Sequence, residues 1–368
     1  MGAVIVVRVI AFVGGLAVVA WTLLSAVRAV VLPRAAFVRL SRAVFVPISE
    51  LFRLFLRFTK TWDQRDRVLA LYGPIGLLTL PFAWLVLVLS GFTAIYWSLG
   101  GRSLRHSLEL SGSSIFTFGF AVPGGLAQTL LAFSEAIFGL GLLALLISFL
   151  PSIYAAFSRR EQLVALLEVR AGNPPSVTQL LKRFYIIHGL DRLSPMFARW
   201  EEWFADVEET HTSQPAIVFF RSPLPNRSWL TTAGAVLDSA SFVASTLDKP
   251  RDAQAELCVR AGYLCLRRIA TYFDIPYDAD PSPDDPISIE RREYDQVYDE
   301  LAAIGVPLQA DRDQAWRAFA GWRVNYDTVL VALAQVIMAP PAPWSSDRLS
   351  THPPQRMPRR FRPWVRDE

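Results

Sequence analysis

The sequence predicts an all-α membrane protein: an N-terminal transmembrane helix, then a helix–re-entrant loop–helix module, then an all-helical cytoplasmic domain. Three observations lead there. Hydrophobic residues make up 52% of the chain and its mean hydropathy is +0.30, too apolar for an ordinary soluble protein. The apolar residues are concentrated in the first 157 positions, in runs long enough to cross a bilayer. After position 158 the apolar spacing is helical almost throughout, and no alternating run is long enough to suggest a sheet.

Val9 to Val27 is uncharged for 19 residues, enough to span about 30 Å of hydrocarbon at 1.5 Å per residue. Its apolar core is too long for a signal peptide and no small-x-small cleavage site follows, so residues 1–33 read as a retained membrane helix. Residues 34–70 differ. Arg34, Arg39, Arg42, Arg53, Arg57, Lys60, Arg65 and Arg67 face only Glu50, Asp63 and Asp66, while Leu51, Phe52, Leu54, Phe55 and Phe58 keep helical spacing. A basic amphipathic segment of this kind lies along a membrane surface, and 34–67 is expected to meet anionic lipid there.

Residues 71–157 hold two further spans, Ile75 to Ser98 and Leu126 to Phe157. Pro74 and Pro81 sit near the start of the first, where a Pro is tolerated. Basic residues cluster beside the apolar runs, and Arg159-Arg160 close the last one. The positive-inside rule places 34–67 and everything after 158 in the cytoplasm, with the N-terminus and the 100–125 connection outside. A multi-pass protein of the bacterial inner membrane is the expected setting.

Between those spans, Ser103 to Ile115 reads as a short polar-faced helix, followed by Thr117-Phe118-Gly119-Phe120-Ala121 and then Pro123, Gly124 and Gly125. The run is too polar and Gly-rich for a lipid-facing helix, and too apolar for an ordinary external loop. Descent into the membrane with return through an extended segment fits both facts. The order of parts resembles the two-spanning pore module of potassium-channel-like proteins, whose loop reads TVGYG. The resemblance covers about 80 residues, from Leu71 to Leu150 or so. It implies an ion pathway over Thr117, Phe118, Gly119, Phe120 and Ala121, with Thr117 supplying an inner hydroxyl, Gly119 the permissive backbone and Phe120 an aromatic cuff. Three departures alter such a filter: Ala121 stands where a second Gly is expected, no Asp follows it, and Phe120 lacks a tyrosine hydroxyl. One loop per chain cannot close a ring of carbonyls, so a homotetramer passing a monovalent cation, potassium or sodium, is implied.

Glu135 is the one charged side chain inside the third span, where an acid is costly and faces protein or water. Two placements remain open from sequence. Glu135 either sits behind the loop, holding it or attracting cations, or bonds Ser113, Ser114 or Thr117 as scaffold. Gly139 and Gly141 follow it, and the resemblance implies a hinge or close-packing point in this helix. Ser113, Ser114, Glu135, Gly139 and Gly141 are therefore the expected supports of the loop.

In the cytoplasmic half, 158–338, Gly172-Asn173-Pro174-Pro175-Ser176 ends one helix, and Ser176 is a suitable N-cap for the next. Further helices are expected over 160–171, 177–188, 195–210, 228–246, 251–273, 289–304 and 310–337, with Ala216 to Phe220 the sole strand candidate. Residues 339–368 are rich in Pro and Arg and read as a disordered tail. Cys258 and Cys265, seven apart on one helical face, read as core residues in a reducing compartment. No Walker loop, GxGxxG, HExxH or CxxC is present, so no cofactor, enzymatic activity or nucleic-acid partner is expected. Trp200-Glu201-Glu202-Trp203, with Glu208, Glu209, His211, Arg221, Arg323 and Tyr326, form the one polar constellation, read as ion-pair links between helices. The functional expectation is an ion channel assembled or gated by its cytoplasmic domain. The alternative is a non-conducting membrane-anchored scaffold or sensor, and a membrane-bound enzyme using the Glu/His/Arg group is a third reading.

Overall fold

A computed structural model describes residues 2–30, 39–100 and 103–350. In chain order the first helices are α1 (Gly2–Val30), α2 (Arg39–Leu56), α3 (Trp62–Ala70), α4 (Tyr72–Ser98), α5 (Leu104–Ile115) and α6 (Leu126–Ala171). Then follow α7 (Val177–Ile186), α8 (Leu193–Ser213), α9 (Trp229–Thr246), α10 (Ala253–Tyr272), α11 (Arg291–Ala303), α12 (Arg312–Arg323) and α13 (Asp327–Val336). Among the described residues there is no strand, and one isolated antiparallel bridge pairs Leu247 with Leu308. Three stretches are long and apolar enough to cross a membrane: Gly2–Ala29, Trp62–Ser98 and Leu126–Ala171. The chain divides into two units, Met1–Ile48 with Pro74–Ala155, and Ser49–Gly73 with Ala156–Glu368.

In the first unit, small residues set how closely helices approach. A Cβ on Gly15 would lie 2.5 Å from the Gly91 carbonyl oxygen, so α1 and α4 touch backbone to backbone. α4 also buries Trp84, Val88, Phe92, Ile95 and Tyr96 in one core with Val19 and Ala26 of α1, Leu110 and Ile115 of α5 and Leu142 of α6. Away from this small core α6 leaves Leu126, Leu130, Phe133, Ile137, Leu140 and Ile147 exposed, a stripe at alternating four- and three-residue steps.

The second unit begins within the basic amphipathic segment. Its residues 31–38, with Arg34, lie outside the described ones. On α2, Phe52 is buried edge-on against Tyr72, with ring centroids 5.4 Å apart, while Leu51, Leu54 and Phe55, and Phe58 just past the helix end, are exposed. The apolar and buried faces thus separate as helical spacing requires. Thr61 caps α3 by accepting from the Gln64 amide.

The rest of this unit packs around α9, in which every residue from Trp229 to Val243 is buried. A helix apolar or small on all sides is the centre of a bundle, and α8, α10, α12 and α13 surround it. Ser176 caps α7 by accepting from the Gln179 amide, as its position in sequence suggests.

Three expectations are corrected here. The segment 310–337 is two helices, because Asn325 donates to the Gly321 and Trp322 carbonyls and closes α12 before α13 starts. Residues 215–219 form a 3₁₀ turn rather than a strand, opened by Pro215. Residues 339–348, assigned to the tail by composition, belong to the core: Trp344 packs on Phe319 and its carbonyl accepts from buried Arg323 at 2.7 Å. Residues 351–368 lie outside the described ones.

Candidate functional site

The site is built from α5, the loop after it, and the helices on either side. Ser103 caps α5 by accepting from the His106 amide at 3.1 Å. Serines within the helix then fix its depth. Ser111 Oγ lies 3.1 Å from the Leu89 carbonyl oxygen of α4 and also within hydrogen-bond reach of Glu135, so its single proton serves one of the two at a time. At the far end of α5, the Ile115 carbonyl comes so close to α6 that a Cβ on Gly139 would lie 2.3 Å from its oxygen. Gly139 is roughly 13 residues into α6, about 20 Å from its start at 1.5 Å per residue. So α5 runs down the side of α6 instead of lying across its end. The ten or so residues from Phe116 to Gly125 must recover that distance, which only extended backbone can do.

The start of the return is tied to one residue, Ser113. Its carbonyl accepts from the Phe118 amide at 2.9 Å and the Gly119 amide at 3.4 Å, and its hydroxyl accepts from the Ala121 amide at 3.1 Å. Drawing three amides onto one turn needs left-handed backbone, found at Thr117 (φ +56°) and Gly119 (φ +70°). Gly119 meets that need at no steric cost. The second left-handed position is Thr117, while Ala121, the anticipated difficulty, is not left-handed. Among the described residues, no donor reaches the carbonyls of Thr117, Phe118, Gly119, Phe120 or Ala121. Phe118 and Phe120 are 72% and 65% exposed.

Glu135 is fully buried, accepting from Tyr96 OH at 2.9 Å and from Ser111 Oγ. It therefore joins α4, α5 and α6 in one place. Its partners are neither Ser113, Ser114 nor Thr117: Ser113 holds the loop, and Ser114 Oγ donates within α5 to Leu110 O at 2.8 Å. Sequence reasoning passed over Tyr96 and Ser111. The available signal was a lone tyrosine near the end of an otherwise apolar span, at the depth where an acid needs a donor. Gly139 and Gly141 separate as well, the first pressed on Ile115 and the second with nothing within 4 Å of an added Cβ.

No family model, curated protein or solved structure matches this chain. Its reading therefore rests on geometry.

The polar constellation of the second half falls into separate networks. Buried Arg160 donates to the Ile217 carbonyl at 3.0 Å and the Phe220 carbonyl at 2.7 Å, pairs with Glu161, and lies 3.1 Å from His211 Nε2. Burial and then the Arg160 cation push the His211 pKa down, which leaves the ring neutral. Arg221 pairs with Asp66 at 2.6 Å and donates to the Ile337 carbonyl. Arg323 sits between Asp238 and Asp327. Among the described residues no group of three His, Cys, Asp or Glu could hold a metal ion.

The 3₁₀ segment 215–219 and the two residues after it join the first two of these networks. Phe219 packs edge-on against Tyr72 at 5.2 Å, and Phe220 lies against Gly73 and Phe157. One short segment thus touches the residues leading into α4 and those at the end of the apolar run of α6.

Proposed function

We propose that the chain is one subunit of a cation-conducting pore, with Thr117 to Ala121 lining the ion pathway and α5 as a re-entrant pore helix. The observation that carries this reading is the contact of Ile115 with Gly139. It sets the end of α5 about 20 Å along a helix apolar enough to span, a depth at which non-helical backbone needs protein or water to satisfy it. The free carbonyls of Thr117 to Ala121 are the groups that would take the place of an ion's water. Glu135 is spent on Ser111 and Tyr96, so its role is to hold the pore helix against both flanking helices. A ring of such loops requires four chains. The exposed stripe on α6 and the exposed Phe118 and Phe120 supply apolar surface for sister subunits and lipid. The setting is the inner membrane with the N-terminus outside, the basic 34–67 segment on anionic lipid, and the helical half in the cytoplasm, where it assembles or gates the pore.

The test is ion flux from purified protein in liposomes, wild type beside Gly119→Ala, with potassium and sodium gradients compared. A Cβ at Gly119 meets no neighbour, so the substitution acts through its left-handed backbone alone. Flux that is lost in the variant identifies the pathway, and the faster gradient identifies the ion. A folded tetramer that passes neither ion would leave a membrane-anchored scaffold, and a monomer would end the pore reading.

A further inference from the structure

In the cytoplasmic half, away from the pore loop, α6, α7 and α8 enclose a groove of about 290 Å³. Its floor is apolar: Leu163, Leu166, Phe184, Ile187, Met196 and Trp200. Ile187 stays 63% exposed and Leu166 38%, so part of that floor is open to solvent. Three arginines stand around that floor: Arg170 from α6, Arg192 from the turn before α8, and Arg199 from α8. Most arginines described in this half of the chain have a carboxylate partner. Among the described residues these three have none within ion-pair distance.

An apolar floor calls for a hydrocarbon or aromatic group, and arginines at its edge without carboxylate partners call for an anion with planar or tetrahedral oxygens. The two requirements are met together by an amphiphile. Size narrows the class further. The volume is at the lower end of the range for small-molecule sites, about 300–1,000 Å³, which suits one short or medium chain and not a two-chain phospholipid.

We infer that this groove binds a single-chain amphiphilic anion, a medium-chain fatty acid carboxylate, with its chain on Leu163, Leu166 and Ile187 and its head beside Arg170, Arg192 and Arg199. The inference does not depend on conduction, since it reads binding and not flux.

The experiment uses the full chain in nanodiscs of uncharged phospholipid, titrated calorimetrically with octanoate, decanoate and dodecanoate. Empty nanodiscs give the background of partitioning into lipid. Saturable binding near one per chain is expected, tightening about fourfold for each added methylene until the groove is full. Decanol should bind at least tenfold more weakly, and so should decanoate to Arg192→Gln/Arg199→Gln. Both arginines are exposed, so that variant is expected to fold as the wild type does. Ile187→Glu, also at an exposed position, sets a carboxylate on the groove and should abolish binding without a change in melting temperature.

Three results would overturn the inference. Uptake equal to that of empty nanodiscs means no site. Equal affinity for decanol means that the arginines recognise nothing. Acetate or inorganic phosphate binding as tightly as decanoate means a charge patch without an apolar floor. Anionic phospholipid in the nanodisc that displaces decanoate at stoichiometric amounts would reassign the groove to a bilayer lipid.

Discussion

Glu135 of α6 accepts a hydrogen bond from Tyr96 of α4 at 2.9 Å, across 39 residues and with both side chains fully buried. Ser111 of α5 completes the junction. Tyr96→Phe removes one donor and is expected to cost about 1 kcal/mol, the usual size of a hydrogen bond between membrane helices. Glu135→Leu takes the acceptor from the buried Tyr96 hydroxyl and leaves Ser111 the Leu89 carbonyl, and should cost about 2 kcal/mol, with Glu135→Gln in between. Thermal unfolding of the three variants in one detergent gives the order, and three identical curves would show that α5 is held by other contacts.

Gly139 and Gly141 resemble one another in sequence but differ in surroundings. An added Cβ at Gly139 would meet the Ile115 carbonyl at 2.3 Å, whereas at Gly141 it meets nothing within 4 Å. Gly139→Ala should therefore destabilise the membrane unit by about 1–3 kcal/mol and push α5 aside. Gly141→Ala should be neutral or stabilising by up to about 1 kcal/mol. Melting temperatures decide this, and equal effects would refute the close approach.

Arg221 ties Asp66 to the Ile337 and Met338 carbonyls. Removing one partner of such a buried pair leaves a charge uncompensated, so Arg221→Ala should cost about 3–5 kcal/mol. If the proposed pore responds to segment 215–221, Arg221→Lys should keep the fold and alter the flux. Flux and unfolding measured on the same preparation separate those effects.

Asp238 titrates in an accessible range. Burial raises its pKa to about 6, against the lowering effects of Arg323 and the Tyr326 hydroxyl and with a small further rise from Asp327. A carboxyl whose folded pKa lies above its unfolded value of about 3.8 holds its proton more tightly when folded. Its contribution to stability is therefore greatest at low pH and is lost as pH rises from about 4 to about 6. Compared with Asp238→Asn, the wild type should lose on the order of 3 kcal/mol across that window. The stability difference between the two proteins, followed from pH 4 to pH 7, should slope accordingly, and a flat difference would mean that Asp238 is ionised throughout.

Cys258 and Cys265 are free and buried, and burial pushes both thiols up. Neither should react with maleimide in the folded protein, and both should label fully in denaturant.

The sequence by itself determined the parts whose signal is local. Hydropathy located three helices long and apolar enough to cross a membrane, and helical spacing predicted that the chain after position 158 is helical, with no strand among the described residues. Ser103 and Ser176 announced the helices they cap, because a capping side chain bonds an amide only two or three residues away. The tertiary structure decided everything that depends on which groups meet. Glu135 found Ser111 and Tyr96, not the serines nearer the loop, because partner choice follows the rotation of three helices about one another. Gly139 and Gly141 separated for the same reason. The assignment of 339–348 to a tail failed because Pro-rich composition reports the absence of regular structure, whereas burial of Trp344 against Phe319 is a property of the finished core. Spacing along one chain fixes which face a residue takes, and only packing fixes what that face touches.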